Sequence, residues 1–156
     1  MKKKAYQLIT LLSFIAVPLL GGYLTSQFLS GSISPAYSSF VKPEFFPPAW
    51  IFAPVWTVLY ILMGISAYLV WKKEGFKKSL GLFAIQLALN LLWTPIFFYF
   101  HQYLLAFLEI IVLIVVVLMT ILSFAKRSKT AALLMLPYLL WILFASFLNF
   151  IIFRMN

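Results

Sequence analysis

The sequence predicts an all-α integral membrane protein, a bundle of five transmembrane helices. Three observations carry that expectation. Of 156 residues, 65% are hydrophobic and only 10% charged, more apolar side chain than a soluble domain of this length can withdraw from water. The apolar residues fall into five runs, each near the roughly 20 residues a helix needs to cross a hydrocarbon core of about 30 Å. The basic residues collect on alternate connections between those runs.

The first run, residues 5–28, follows Lys2, Lys3 and Lys4. A signal peptide would begin in the same way. This run lacks a small-x-small cleavage site after its apolar stretch and is long enough to span, so it reads as a helix. The connection 29–47, "LSGSISPAYSSFVKPEFFP", is rich in serine and proline yet carries Tyr37, Phe40, Phe45 and Phe46. A solvated linker has no use for those rings, so the segment is expected to be a lid packed on the bundle end.

The second run, 48–71, opens on Pro47 and Pro48, where a missing N–H costs little. Pro54 is expected to lie deeper, to cost a hydrogen bond and to open the helix beside Trp50 and Ala53. Trp56 points to a different side of the helix from Pro54 and is expected against a neighbour or lipid. Gly75 is placed to cap that helix. The remaining runs are 80–99, 104–125 and 131–153, the last with Ser128 or Thr130 available as cap. All five form one domain, 1–156.

Five spans put the termini on opposite sides. One side then holds Lys2, Lys3, Lys4, Lys72, Lys73, Lys77, Lys78, Lys126, Arg127 and Lys129, and the other only Lys42 and Arg154. That asymmetry predicts a cytoplasmic N-terminus and an external C-terminus. The net charge of +9 is accordingly an orientation signal in contact with lipid headgroups rather than a nucleic-acid footprint.

Pro18, Pro54, Pro95 and Pro137 interrupt four of the five runs. Each is an ordinary membrane-helix kink taken alone; together, beside clustered aromatics, they suggest a bowed bundle with a cavity. Three stripes at helical spacing would face it: Trp50, Ala53, Thr57, Tyr60 and Gly64; Gln86, Asn90, Trp93 and Phe97; Tyr138, Trp141, Ala145, Leu148 and Asn149. Asn90 and Asn149 should face the interior as interhelical glue or ligand contacts. Glu109, the one acid within a span, lies near the interface beside His101, where a hydrogen-bonded structural role is expected. With no cysteine and one histidine, thiolate or histidine-cluster metal chemistry has almost nothing to build on, so no metal site is expected. Tryptophan and tyrosine remain, suited to stacking on a flat apolar ligand. Gly81, Ala84 and Ala88 on the third run permit close helix packing, hence a possible dimer face.

At this point "FFPPAWIFAPVWTVLYILMG", "QLALNLLWTPIFF" and "LPYLLWILFASFLNFIIFR", with "VPLLGG" in the first run, resemble the tryptophan-rich sensory protein family. It is also called the translocator protein, peripheral benzodiazepine receptor or TspO/MBR family, and the motifs are those of a bacterial-type member. The resemblance covers nearly the whole chain, with its motifs in order. It implies a five-helix homodimer in a bacterial cell membrane. Protoporphyrin IX and benzodiazepine-site drugs are the implied ligands, with no required cofactor. The implied pocket comprises Trp50, Ala53, Asn90, Trp141, Ala145 and Leu148, with Trp50 and Trp141 as candidates for light-dependent porphyrin degradation. Transport of porphyrins or other apolar ligands is the alternative, although the chain shows no inverted repeat of the commoner transporter kinds.

Overall fold

The computed structural model describes residues 2–156. Helix α1 runs Lys2–Phe28 and α2 Ser30–Ser39; a 3-10 turn, Ala49–Ile51, leads into α3, Phe52–Glu74. Helix α4, Lys78–Thr94, ends in a π turn, Pro95–Tyr99. Helix α5 is Tyr103–Ala125, and α6, Lys129–Leu134, is followed by α7, Leu136–Met155. Counting α4 with its turn, and α6 with α7, five helical segments are long and apolar enough to cross a membrane.

Helix α1 lies chiefly against α3, α4 against α5, and α5 against α7, while α6 wedges between α3 and α5. The core is built where α3, α5, α6 and α7 converge: Met63, Val70, Leu113, Val117, Phe124, Met135, Tyr138 and Ile142 are all almost fully buried. The outer faces carry exposed Leu, Ile, Val and Phe along every span. Such a surface would aggregate in water but is the solvated face in a bilayer, where lipid tails replace water.

Helix α1 contributes one buried residue, Pro18, so its attachment depends on close approach rather than on filling the core. Gly64 makes that approach possible. A Cβ there would lie 2.5 Å from the Ile15 Cα and 2.6 Å from the Phe14 carbonyl oxygen. Those are backbone atoms, so no side-chain rotation could relieve the clash.

The two ends are closed differently. At the lysine-rich end, Arg127 pairs with Glu74 at 2.6 Å, the Ser123 hydroxyl donates to Ser79 Oγ at 2.9 Å, and the Ser66 hydroxyl donates to the Ala131 carbonyl at 2.7 Å. Ser128 caps α6 by accepting from the Ala131 N–H at 3.2 Å. Gly75 turns the chain after α3 at φ 69°, ψ −155°. This is a glycine-favouring conformation, but not the left-handed helical one expected of a cap there.

At the opposite end α2 lies on the π turn. Phe40 is buried with Ile96, Phe97, Ala106 and Ile152. The Tyr37 hydroxyl donates to the Pro47 carbonyl at 2.6 Å, and burial pushes that hydroxyl above the usual phenol range. The Lys42 ammonium donates to the Tyr37 carbonyl and lies 4.2 Å from the Tyr37 ring centre. Asn156 ties the C-terminus down, accepting from the Val41 N–H at 2.9 Å and donating to its carbonyl at 3.2 Å.

The serine-rich connection contains a helix: within α2 the Ser38 hydroxyl donates to the Ser34 carbonyl and that of Ser39 to the Ala36 carbonyl, so these hydroxyls are satisfied inside the helix. A further expectation changes, since the prolines sit mostly at breaks. Pro54 falls in the first turn of α3, Pro95 opens the π turn, and Pro137 starts α7 after the interruption at Met135; Pro18 alone lies deep within a long helix. Pro54 therefore gives up an N–H that the first helical turn could not have paired within the helix, and costs less than expected.

Candidate functional site

The site expected from the sequence draws on the starts of α3, the middle of α4 and the length of α7. Phe52 at the head of α3 packs edge-on to Trp141 of α7, ring centres 6.0 Å apart. One turn deeper, Trp56 contacts Tyr60 at 5.3 Å and Tyr138 at 6.2 Å. The Tyr60 hydroxyl donates to Asn90 Oδ1 at 2.8 Å, a buried bond between α3 and α4. A continuous run of contacts, Asn90–Tyr60–Trp56–Tyr138, thus crosses the bundle from α4 through α3 to α7.

The six expected residues differ in how they stand. Asn90 and Leu148 are buried, Trp141 and Ala145 are half-buried against the core, and Trp50 and Ala53 are exposed. Trp50, 73% exposed in the 3-10 turn, takes no part in the ring contacts that engage Phe52 and Trp56. Helical spacing accounts for the pairing of Trp141, Ala145 and Leu148 on α7, since i, i+4 and i+7 share a face.

Polar groups from four helices are gathered inside. Besides Tyr60 and Asn90 they include Gln86 on α4, Glu109 on α5, and Tyr138 and Asn149 on α7, each at least nine-tenths buried. Gln86, both Glu109 oxygens, the Tyr138 hydroxyl, the Trp93 Nε1 and Asn149 Oδ1 have no protein partner among the described residues. Asn149 donates to the Tyr103 carbonyl only at 3.5 Å, at the long limit for such a bond. Buried polar groups of this kind are costly unless paired, so the interior holds unused hydrogen-bonding capacity beside the aromatic run.

Sequence reasoning missed the partners rather than the stripes. Tyr60 was visible on the α3 stripe, but no local pattern pairs it with Asn90, thirty positions away. Trp56 could have been read from its i, i+4 relation to Tyr60; its contact with Tyr138 required the tertiary arrangement. Phe52, the ring that meets Trp141, carried no distinguishing signal.

The TspO/MBR family profile matches residues 14–155. The translocator protein of sheep (Ovis aries) is 44% identical over 104 residues, covering 64% of this chain and 62% of that protein. The bovine (Bos taurus) translocator protein is 47% identical over 90 residues, 54% of this chain and 53% of its own length. The tryptophan-rich protein TspO of Chlorobaculum tepidum is 42% identical over 110 residues, 68% of this chain and 70% of that protein. The alignments thus span between about half and two-thirds of the mammalian proteins. A match over nearly all of this sequence, on a scaffold of five membrane-length helices, places the chain in the TspO/MBR family as an integral membrane protein.

Proposed function

We propose that the protein binds a tetrapyrrole such as protoporphyrin IX, and benzodiazepine-site drugs, at the α2-covered end of the bundle. Trp50, Ala53, Asn90, Trp141, Ala145 and Leu148 supply the contacts. The observation that carries this reading is the seam at Phe52–Trp141. It sets the head of α3 against α7, with the half-buried Trp141 and Ala145 on one side and the exposed Trp50 and Ala53 on the other. Indole faces stack on a flat conjugated ring. The Asn90 amide supplies a polar group at the buried edge, and its Nδ2 is left to donate when Oδ1 is taken by Tyr60. Lys42 and Arg154 are the cations of this end and the groups available to ligand carboxylates.

Titration of the full chain in nanodiscs with protoporphyrin IX, read by tryptophan quenching, tests the assignment. Trp141→Phe and Asn90→Ala should each weaken binding; unchanged affinity in both overturns it. Degradation dependent on both light and molecular oxygen, with oxygen as the oxidant, is a further step assigned to Trp50 and Trp141. It requires a product on illumination that free porphyrin does not form, lost in the Trp50→Phe, Trp141→Phe double variant at porphyrin concentrations that still saturate its weakened site.

Transport is the second reading, favoured by the name translocator protein carried by the mammalian relatives. Flux into proteoliposomes above that of protein-free vesicles decides it. The lysine-rich end is assigned to the cytoplasm. Homodimer contact is assigned to the exposed Gly81, Ala84 and Ala88 face of α4. Because the chain has no cysteine, single introduced cysteines test both: labelling from one side reports orientation, and cross-linking at Ala88→Cys reports the dimer.

A further inference from the structure

A groove of about 340 Å³ lies at the lysine-rich end, far from the α2-covered end. Lys3, Tyr6 and Gln7 of α1 line one wall, and Tyr68, Trp71 and Lys72 of α3 the other. We infer that this groove holds the headgroup of an anionic phospholipid, with its phosphate between Lys3 and Lys72 and its first acyl carbons on the aromatic floor.

The floor is built by the turn after α3. Gly75, at φ 69°, lets the chain reverse, and Phe76 stacks on Phe14 of α1 at 6.1 Å. Phe14 also meets Trp71 at 5.8 Å and Tyr68 at 6.3 Å, and Tyr68 stacks on Trp71 at 6.0 Å. Tyr68 and Trp71 thus line the groove beside the two lysines, and Phe14 of α1 and Phe76 of the turn back them in one aromatic cluster. Phe76 is 80% exposed, a position suited to the headgroup level of a membrane, where aromatic side chains gather.

Charge decides which headgroup fits. This end carries ten of the twelve Lys and Arg residues, and its one acid, Glu74, is engaged by Arg127 at 2.6 Å. Lys3 and Lys72 are exposed and make no ion pair among the described residues. Tyr6 and Gln7 add a hydroxyl and an amide for phosphodiester or glycerol oxygens. A free anion would satisfy the lysines but leave the Tyr68 and Trp71 rings that line the groove uncovered. A phospholipid covers both.

The test is native mass spectrometry of the full chain, released from detergent and titrated with palmitoyl-oleoyl phosphatidylglycerol or phosphatidylcholine. The first phosphatidylglycerol should bind more tightly than phosphatidylcholine. Replacing Lys3→Gln with Lys72→Gln should weaken it about thirtyfold, since each lysine is worth about fivefold, the equivalent of roughly 1 kcal/mol. The pair Lys78→Gln with Lys126→Gln removes the same charge from the same end but lies outside the groove. It should change affinity by no more than about twofold, screening having reduced longer-range attraction. Equal binding of the two lipids overturns the proposal. So does an equal loss in both lysine pairs, which marks a diffuse basic belt, or displacement of the lipid by millimolar inorganic phosphate.

Discussion

Gly64→Ala adds a single methyl group, yet it should loosen α1 from the bundle. The new Cβ would sit 2.5 Å from Ile15 Cα, 2.6 Å from Phe14 O and 2.9 Å from Ile15 N. Carbon atoms pack at about 3.5–4.0 Å, so α1 must retreat by roughly 1 Å along this contact. Overpacking of this kind costs about 1–3 kcal/mol, against which alanine returns at most about 1 kcal/mol of helix propensity. Helix α1 cannot absorb the loss elsewhere, since it buries only Pro18 and packs chiefly on α3. Two other glycines calibrate the effect. At Gly21 the added carbon meets only the Leu91 side chain, at 2.9 Å, and at Gly31 nothing within 4 Å. Stability in detergent, measured as the midpoint of an SDS-unfolding titration, should therefore fall most for Gly64→Ala, less for Gly21→Ala, and not at all for Gly31→Ala. An introduced cysteine pair joining α1 to α3 should cross-link more slowly in Gly64→Ala. Equal midpoints for Gly64→Ala and Gly31→Ala would refute backbone contact as the means of holding α1.

Three further outcomes are expected. Asn90→Ala leaves the Tyr60 hydroxyl buried without its partner and should destabilise by about 1–3 kcal/mol. Adding Tyr60→Phe should restore part of that loss in a double-mutant cycle on the SDS midpoint. Gly75→Ala forces a methyl-bearing residue to φ 69° and should cost about 1 kcal/mol or more, despite open space around it. Tyr37→Phe removes the hydrogen bond to Pro47 O, a net loss of about 0.5–1.5 kcal/mol. Limited proteolysis between residues 40 and 48 should then accelerate, and an unchanged cleavage rate would mean that the bond does not hold the connection.

Much of the scaffold was legible because a bilayer makes a simple demand of sequence: apolar residues in helix-length runs. The observed helices extend beyond several of those runs, to Lys2 in α1, Glu74 in α3 and Lys129 in α6. Long basic side chains let a helix continue past the hydrocarbon while their charges stay in the headgroup layer. Helix α2 was not legible as a helix, because serine and proline favour turns when nothing else acts. In place, the serine hydroxyls bond to carbonyls of the same helix and Phe40 is anchored in the Phe97 cluster.

Composition and periodicity alone determined a five-span membrane bundle, its charge asymmetry and the stripes on α3, α4 and α7. Those properties are local: hydropathy sums over a run, and the 3.6-residue period assigns faces without knowledge of neighbours. Only the tertiary structure decided that the Tyr60 hydroxyl reaches Asn90 Oδ1, that Phe52 meets Trp141, and that Gly64 receives the α1 backbone. Each is a contact between distant parts of the chain, set by which helices cross and at what depth. In a sequence so uniformly apolar, many crossings bury similar surface, so pairing is decided by shape: where a glycine admits a backbone, where a ring fills a gap, and where one buried hydroxyl reaches one amide.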